Sequence, residues 1–265
     1  MMTRLQGITR FDADGLGALQ DDVLAVEEPL EIRVEGQTLV TVLRTPGNDR
    51  ELVAGWLLAE GIVRNQTDLF DVVQCPSVDS AGNVVEVHLS SPDQFEVSRF
   101  VRRVVSNSSC GMCSRTLIDE VAGGRGPVVG GFAVGVRTLQ RLPEALRAAQ
   151  SAFDATGGIH AAALFDTNGK LLAVREDVGR HNAVDKLLGW ALFSEMLPLS
   201  KCGLLVSGRV AFEIVQKAWV GGIPLIAAIG AASSMAVETA QSAGQTLIGF
   251  LRDDRMNVYC GKIGG

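Results

Sequence analysis

Two thiols three positions apart, Cys110 and Cys113, lie in the run Asn107-Ser108-Ser109-Cys110-Gly111-Met112-Cys113, among small polar residues with glycine between them. Such a pair can act as a redox dithiol, as half of a zinc site, or as a carrier that holds sulfur as a persulfide. Zinc needs four ligands, usually as two close pairs, and the remaining cysteines, Cys75, Cys202 and Cys260, are each isolated in the sequence. A redox dithiol usually follows a strand and opens a helix. Here the preceding residues carry Arg99, Arg102 and Arg103 and then a polar run, which reads as an exposed loop. Free cysteines are most often small buried apolar residues, but hydrophilic flanks are out of place around a buried pair.

Composition bounds what this pair can serve. A chain of 265 residues, 47% hydrophobic and 20% charged, is a globular protein with a substantial core rather than a disordered one. A net charge of -6 argues against a general nucleic-acid binder, so any anion site must be built from local basic residues. Five cysteines, an odd number in a long chain, fit free thiols in a reducing compartment, and the expected location is cytoplasmic. Residues 1–20 mix Arg4, Arg10, Asp12 and Asp14 with glycines; they read as a polar tail without the apolar stretch of a secretory signal. The charge-free run from Ala218 to Val237 has the length of a membrane span, but Gly221, Gly222, Pro224, Gly230, Ser233 and Ser234 divide it, so no membrane segment is expected.

The elements that must position the thiols follow from periodicity. Alternation over Glu28 to Leu43 with a turn at Glu35-Gly36 predicts a hairpin. A helix capped by Asn48 or Asp49 then carries Leu52, Val53, Trp56 and Leu57 to Gly61, and Val85, Val87 and Leu89 mark another strand; His88 beside them is assigned no role. These pieces form a smaller N-terminal α+β region over residues 1–105. Residues 106–142 read as a linker that carries the cysteine loop and a short helix from Arg115 to Ala122, and residues 143–265 as an α/β ligand-binding domain. Within the latter, a helix is expected over Glu144 to Ala155. A hairpin follows, of His160 to Phe165 and Lys170 to Val174 about an Asp166–Gly169 turn, and then a helix over Ala183 to Glu195. Strand and helix next alternate: strand Gly203–Val206, helix Arg209–Val220, strand Ile223–Ile229, helix Ser233–Ser242 and strand Thr246–Leu251. This is the pattern of parallel strands joined by crossovers.

Parallel sheets bind ligands where their strands end, because loops and helix N-termini gather there. Those ends carry Ser207-Gly208-Arg209, Gly230 to Ser234 and Arg252 to Asn257. Small residues admit phosphate oxygens to backbone N–H groups, serines add donors, and Arg209, Arg252 and Arg255 supply charge, so a nucleotide phosphate site is expected; ordinary turns and caps would carry the same residues. No Walker loop or G-x-G-x-x-G occurs there, which leaves a nucleotide triphosphatase or a Rossmann dehydrogenase unsupported. The loop from Arg175 to Asn182 caps the next helix or, as favoured here, sets Asp177, Arg180 and His181 as a polar group facing a ligand or steering a thiolate.

Four strings together resemble one family: Ser108-Ser109-Cys110-Gly111-Met112-Cys113, Thr156-Gly157-Gly158-Ile159-His160-Ala161-Ala162, Asp177-Val178-Gly179-Arg180-His181-Asn182-Ala183-Val184-Asp185-Lys186 and Ser207-Gly208-Arg209. They are similar, in order and from about Glu28 to Tyr259, to the FdhD/NarQ family of formate dehydrogenase accessory sulfurtransferases. The resemblance implies a cytidine-deaminase-like mixed sheet flanked by helices. It implies that sulfur is taken from a cysteine desulfurase as a persulfide on Cys110, with Cys113 as the partner thiol. The sulfur is then passed to the bis-molybdopterin guanine dinucleotide cofactor destined for formate dehydrogenase, with GDP as a mimic of that client. The segment Phe250-Leu251-Arg252-Asp253-Asp254-Arg255 maps onto the family's cofactor-binding stretch, joined here by Ser207, Gly208, Arg209, Ser233 and His181. A client with two guanine ends suggests a homodimer; no resident metal, nucleic acid or membrane partner is implied. The chain departs from the family pattern at Ser114 and at Asp253-Asp254, where glycine is usual, and the two aspartates put negative charge beside the expected phosphates. A cofactor chaperone that never handles sulfur is the rival reading. A deaminase is a second, weaker rival, since His160-Ala161-Ala162 lacks the glutamate of H-x-E.

Overall fold

The computed structural model describes residues 1–75, 82–95, 126–128 and 131–264. Cys110, Cys113, Ser114 and the expected helix from Arg115 to Ala122 lie outside the described residues.

Residues 1–20 are not a tail. Alternation of Leu5, Gly7, Thr9 and Phe11 with polar residues builds β1 (Thr3–Phe11), which pairs antiparallel with β2 (Gly17–Ala25). Asp12 closes the turn by accepting the N–H groups of Asp14 and Leu16, an Asx turn that sequence reading passed over. The expected hairpin follows as β3 (Glu28–Val34) and β4 (Gln37–Arg44), with Glu35 and Gly36 both at positive φ as a type I′ turn requires. Helix α1 (Asp49–Ala59) starts after Asn48, whose side chain makes no cap bond, and stops at Gly61, whose φ is +74°. The sheet is completed by β5 (Leu69–Gln74), unforeseen in the sequence, and β6 (Val84–Leu89), in the order β4-β3-β6-β5.

The second half holds a mixed six-stranded sheet flanked by helices. Helix α2 (Val136–Ala148) begins eight residues before the expected Glu144 and runs through Pro143; α3 (Ser151–Thr156) is a separate turn of helix. Pro143, just before the expected start, is instead held mid-helix by the burial of Leu139, Leu142 and Leu146. What starts α3 is distant in sequence: buried Glu176 accepts the N–H groups of Ala152 and Phe153 at 3.0 and 2.9 Å. Strands β7 (His160–Phe165) and β8 (Leu171–Asp177) form the expected hairpin. Helix α4 (Arg180–Phe193) follows, then β9 (Gly203–Val206), α5 (Phe212–Val220), β10 (Leu225–Ala228), α6 (Ser234–Ser242) and β11 (Thr246–Gly249). β9, β10 and β11 are parallel, as expected, but β12 (Asn257–Cys260) adds an antiparallel edge where only a loop was foreseen, giving β12-β11-β10-β9-β7-β8. Ala218 to Val237 is the end of α5, all of β10 and the start of α6, and no described helix is long and apolar enough to cross a membrane.

The pleat sends alternate residues of the large sheet to opposite faces. Ala161, Ala163, Phe165, Leu205, Ala227 and Ile248 pack under α2 with Leu139, Leu142 and Leu146. Ala162, Leu164, Leu204, Val206, Ile226 and Leu247 join the larger core, which runs without a break through α4 and α1 into Leu30, Ile32 and Val87 of the N-terminal sheet.

The two halves meet at α1 and α4, and two glycines set how closely. A Cβ on Gly55 would overlap the Asp185 carbonyl, and one on Gly189 the Glu51 carbonyl, so the helix backbones touch. Polar ties surround this crossing. Lys186 Nζ lies 2.7 Å from Asp177 Oδ2, both fully buried, and also donates to the carbonyls of Thr45 and Glu176. Asp177 accepts in addition from the backbone N–H of Thr45 and Gly179 and from Asn182 Nδ2. Arg175 clamps Glu51 of α1 at 2.5 and 2.8 Å, and Lys217 of α5 reaches Asp185 at 2.5 Å.

Lys186→Met, which strands the Asp177 carboxylate, is expected to cost roughly 3–5 kcal/mol in urea unfolding. Burial outweighs the nearby ammonium of Lys217 and raises the Asp185 pKa from 3.8 to about 6. The unfolded chain therefore ionises this group first, and its contribution to stability, complete below pH 3.8, declines as pH rises toward about 6. Relative to Asp185→Asn, the wild-type protein should lose stability over that window and run parallel above it, as read from melting temperatures across pH.

Candidate functional site

The carboxyl ends of β9, β10 and β11 lie beside the start of β7 and the end of β8, which run antiparallel to each other, so five strands contribute to one edge. From Arg252 beyond β11 to Asp177 at the end of β8 is four strand spacings, roughly 20 Å.

Backbone bonds weld the loops of this edge together. Ser207 donates its N–H to the Ala161 carbonyl, and its Oγ accepts the Ala161 N–H at 2.9 Å. Gly230 N–H donates to the Gly208 carbonyl, and Phe250 N–H to the Gly230 carbonyl. A Cβ on Gly230 would lie 2.5 Å from the Gly208 oxygen, so only glycine permits the two loops to touch. Arg209 is exposed just beyond, and α5 starts three residues later than expected because residues 209–211 make a bridge from Val210 to Ala232 instead. Ser233 uses its Oγ to cap α6 through the Ala236 N–H.

The expected Phe250 to Arg255 segment divides by environment. Phe250 stands at φ +50° with its ring part exposed, whereas Leu251 is fully buried. Arg252 donates through Nη1 to the carbonyls of Ile229 and Leu251 at 2.7 and 2.8 Å, which fixes the guanidinium at the end of β10. Asp253, Asp254 and Arg255 are exposed. Arg252 and Asp253 enter a cleft of about 600 Å³ whose other wall is α2, with Arg137, Gln140, Arg141 and Glu144. Arg137, Gln140 and Arg141 fall in what reads as linker in the sequence, while Glu144 opens the expected helix; the signal for the arginines is their i, i+4 spacing.

At the other end of the edge, Gly208 abuts His160 and Arg180, since a Cβ there would meet the imidazole at 3.3 Å and Arg180 Cδ at 3.7 Å. Among the described residues, the buried atoms Arg180 Nε and His181 Nε2 have no hydrogen-bond partner. His181 Nε2 is 3.6 Å from Glu213 Oε2, too long for a hydrogen bond but an ion-pair distance when the ring is protonated, and the Glu213 carboxyl is held below its usual range by this neighbour. Asp177 does not belong to this group. It was expected to face a ligand with Arg180 and His181, but its oxygens are consumed by Lys186, Thr45, Gly179 and Asn182, so it locks the fold.

Elsewhere, burial pushes the thiols of Cys202 and Cys260 up, which keeps them protonated. Among the described residues no three His, Cys, Asp or Glu side chains are grouped to hold a metal ion.

Known proteins share this sequence and this fold. A model of the FdhD/NarQ family matches residues 25–263. The chain is 48% identical over 248 residues to a protein of Nocardia farcinica named sulfur carrier protein FdhD, covering 91% of this chain and 88% of that one. A protein of Mycobacterium tuberculosis with the same name is 47% identical over 250 residues, 90% of each chain. In three dimensions, a crystal structure from Desulfotalea psychrophila, of a protein assigned as a formate dehydrogenase accessory protein, superposes with a TM-score of 0.78 at 22% identity. The match spans 98% of this chain and 97% of that one, and the fold is shared throughout.

Burial, and then the positive neighbours Arg180 and His181, lower the pKa of His160 below 6.5. A histidine-resolved NMR titration should place its midpoint below that of free imidazole, and Arg180→Leu should raise it only partly, because the larger cause remains.

Proposed function

The chain belongs to the FdhD/NarQ family, and from that premise we propose that it is a sulfur carrier serving formate dehydrogenase. On this reading the thiolate of Cys110 attacks the terminal sulfur of a cysteine desulfurase persulfide. The donor cysteine leaves as a thiolate, and Cys110 keeps the transferred sulfur as its own persulfide. Delivery is to bis-molybdopterin guanine dinucleotide, bound as substrate. Attack of the Cys113 thiolate on the inner Cys110 sulfur forms a disulfide, supplies two electrons and releases the outer sulfur as sulfide to the client; a cellular dithiol then reduces the disulfide. Cys202 and Cys260, kept protonated by burial, are poor candidates for this role.

The observation that carries the reading is the five-strand edge, which holds Arg180 near one end, Arg252 near the other and glycine loops between them. Among the described residues Arg180 Nε lacks a hydrogen-bond partner at one end, the Gly208 and Gly230 loops pack backbone to backbone in the middle, and Arg252 is fixed at the other. Such an edge suits an elongated ligand with several anionic groups, and a dinucleotide carrying two guanine ends has that form. Ser207 and Ser233 then act through the loop and cap they hold, and Arg209 and Arg255 from the exposed rim. The same client geometry suits a homodimer that pairs two such edges, in the cytoplasm where desulfurase and dehydrogenase precursor would meet it.

The edge favours one second reading, because nothing in it depends on the cysteines: a chaperone that holds the cofactor without sulfur transfer. Mass spectrometry separates the two. After incubation with a cysteine desulfurase and cysteine, the protein should gain one sulfur atom on Cys110. Cys110→Ala should lose that gain, still bind GDP, and fail to mature formate dehydrogenase; maturation by this variant would establish the chaperone reading.

A further inference from the structure

We propose that Glu213 positions His181 as a proton donor at the carboxyl edge, serving the sulfur that leaves a persulfide there. The inference rests on the sulfur-carrier reading and deepens it: it gives His181 a task besides ligand binding and brings in Glu213, a residue of α5 that the sequence alone does not single out.

α4 follows the end of β8 and α5 the end of β9, and those strands run in the same direction, so both helices start at this edge. They are tied to each other by two rungs. His181 and Asp185 stand one turn apart on α4, Glu213 and Lys217 one turn apart on α5. The inner rung, Lys217 Nζ to Asp185 Oδ1 at 2.5 Å, is buried and fixes how the helices sit. The outer rung, His181 Nε2 to Glu213 Oε2 at 3.6 Å, opens to the edge, with the imidazole 33% and the carboxylate 52% exposed. With Nε2 turned to the carboxylate, Nδ1 is the ring nitrogen left for a ligand.

Electrostatics explains why a carboxylate is required. A helix N-terminus repels cations, α4 has no capping side chain and no acidic residue in its first turn, and Arg180 and His160 crowd the same place against Gly208. His160, which forms no ion pair among the described residues, shows the outcome: burial, and then the positive Arg180 and His181, lower its pKa and keep it neutral. His181 differs in facing Glu213. That carboxylate sits in the first turn of α5, where negative charge is favoured, and its His181 neighbour holds its pKa down at about 2, so it stays anionic near neutral pH. Two histidines on one edge are thus divided, one left uncharged and the other given a counter-charge, as acid–base sites require.

A donor placed here answers a definite chemical need. When the Cys113 thiolate attacks the inner sulfur of the Cys110 persulfide, a new S–S bond forms, the bond to the outer sulfur breaks, and its electron pair departs with that sulfur. From a persulfide anion the departing group would be the sulfide dianion, a poor leaving group; the imidazolium proton turns it into hydrosulfide. Charge balances, since two anions and one cation give a disulfide, one hydrosulfide and a neutral imidazole that water reprotonates. Arg180 cannot take this part, because a guanidinium does not give up its proton.

Single-turnover release of sulfide tests this, using the full chain loaded by a cysteine desulfurase and cysteine and then freed of both. His181→Ala should release sulfide roughly 100-fold more slowly, and added imidazole should restore much of the rate, which a group that only props the fold would not allow. Glu213→Gln, the same shape without the charge, should slow release about tenfold near neutral pH, and Glu213→Asp should recover most of it. Unaltered release by His181→Ala, or a loss that imidazole does not restore, would overturn the proton donor. Release by Glu213→Gln at the wild-type rate would overturn its positioning role. The mass of Cys110 before release separates this inference from the reading beneath it. A wild-type protein that gains no sulfur overturns the carrier reading and the inference with it, whereas a loaded His181→Ala that releases normally overturns the inference alone.

Discussion

The close crossing of α1 and α4 is the constraint on which the rest of the molecule depends. Helices normally pack with axes 8–10 Å apart, separated by side chains. Here Gly55 and Gly189 each face a carbonyl of the other helix, and the backbones touch. That proximity brings the N-terminal sheet and the large sheet onto one continuous core and places Glu51 within reach of Arg175. A single added methyl at either glycine meets backbone, which cannot turn aside as a side chain can.

Position at the edge is inherited from that crossing. α4 begins with Arg180 and His181, so whatever fixes the helix also fixes Arg180 beside Gly208 and His181 facing Glu213. The buried Asp177–Lys186 pair acts just before and within α4, joining the end of β8 to Thr45 at the end of β4. Its charges would be costly alone, but each is surrounded by partners: the carboxylate receives three N–H groups besides the ammonium, and the ammonium reaches two carbonyls. A polar string that reads as a ligand-binding loop is therefore divided, with Asp177, Asn182 and Lys186 holding the fold, His181 facing Glu213 and Arg180 Nε without a hydrogen-bond partner among the described residues.

Much of this was legible in the residues. The alternation of β3 and β4, the turn at Asp166–Gly169 and the strand–helix succession from Gly203 onward all announced themselves, because local pattern and turn chemistry agree with tertiary burial there. The carboxyl-edge loops followed from strand order. What misled was locally ambiguous sequence. β1 and β2 leave Leu5, Phe11 and Leu19 mostly exposed, so they resemble a tail; α2 hides its start behind Pro143; and α3 is capped by a carboxylate that lies over twenty residues away. Arg137 and Arg141 were overlooked because they fall in a stretch that reads as linker, and Arg252 meets them only through folding.

The sequence by itself determined the alternating architecture, the family and the thiol pair, since periodicity, ordered motifs and residue type are properties of the chain alone. The tertiary structure decided which polar side chains are spent and which are free. Asp177 and Arg180 are equally polar and three positions apart, yet one is sealed among four partners and the other keeps, among the described residues, a nitrogen without a hydrogen bond at the edge. Hydrogen-bonding capacity belongs to the residue; whether it is already satisfied depends on neighbours that only long-range packing brings near.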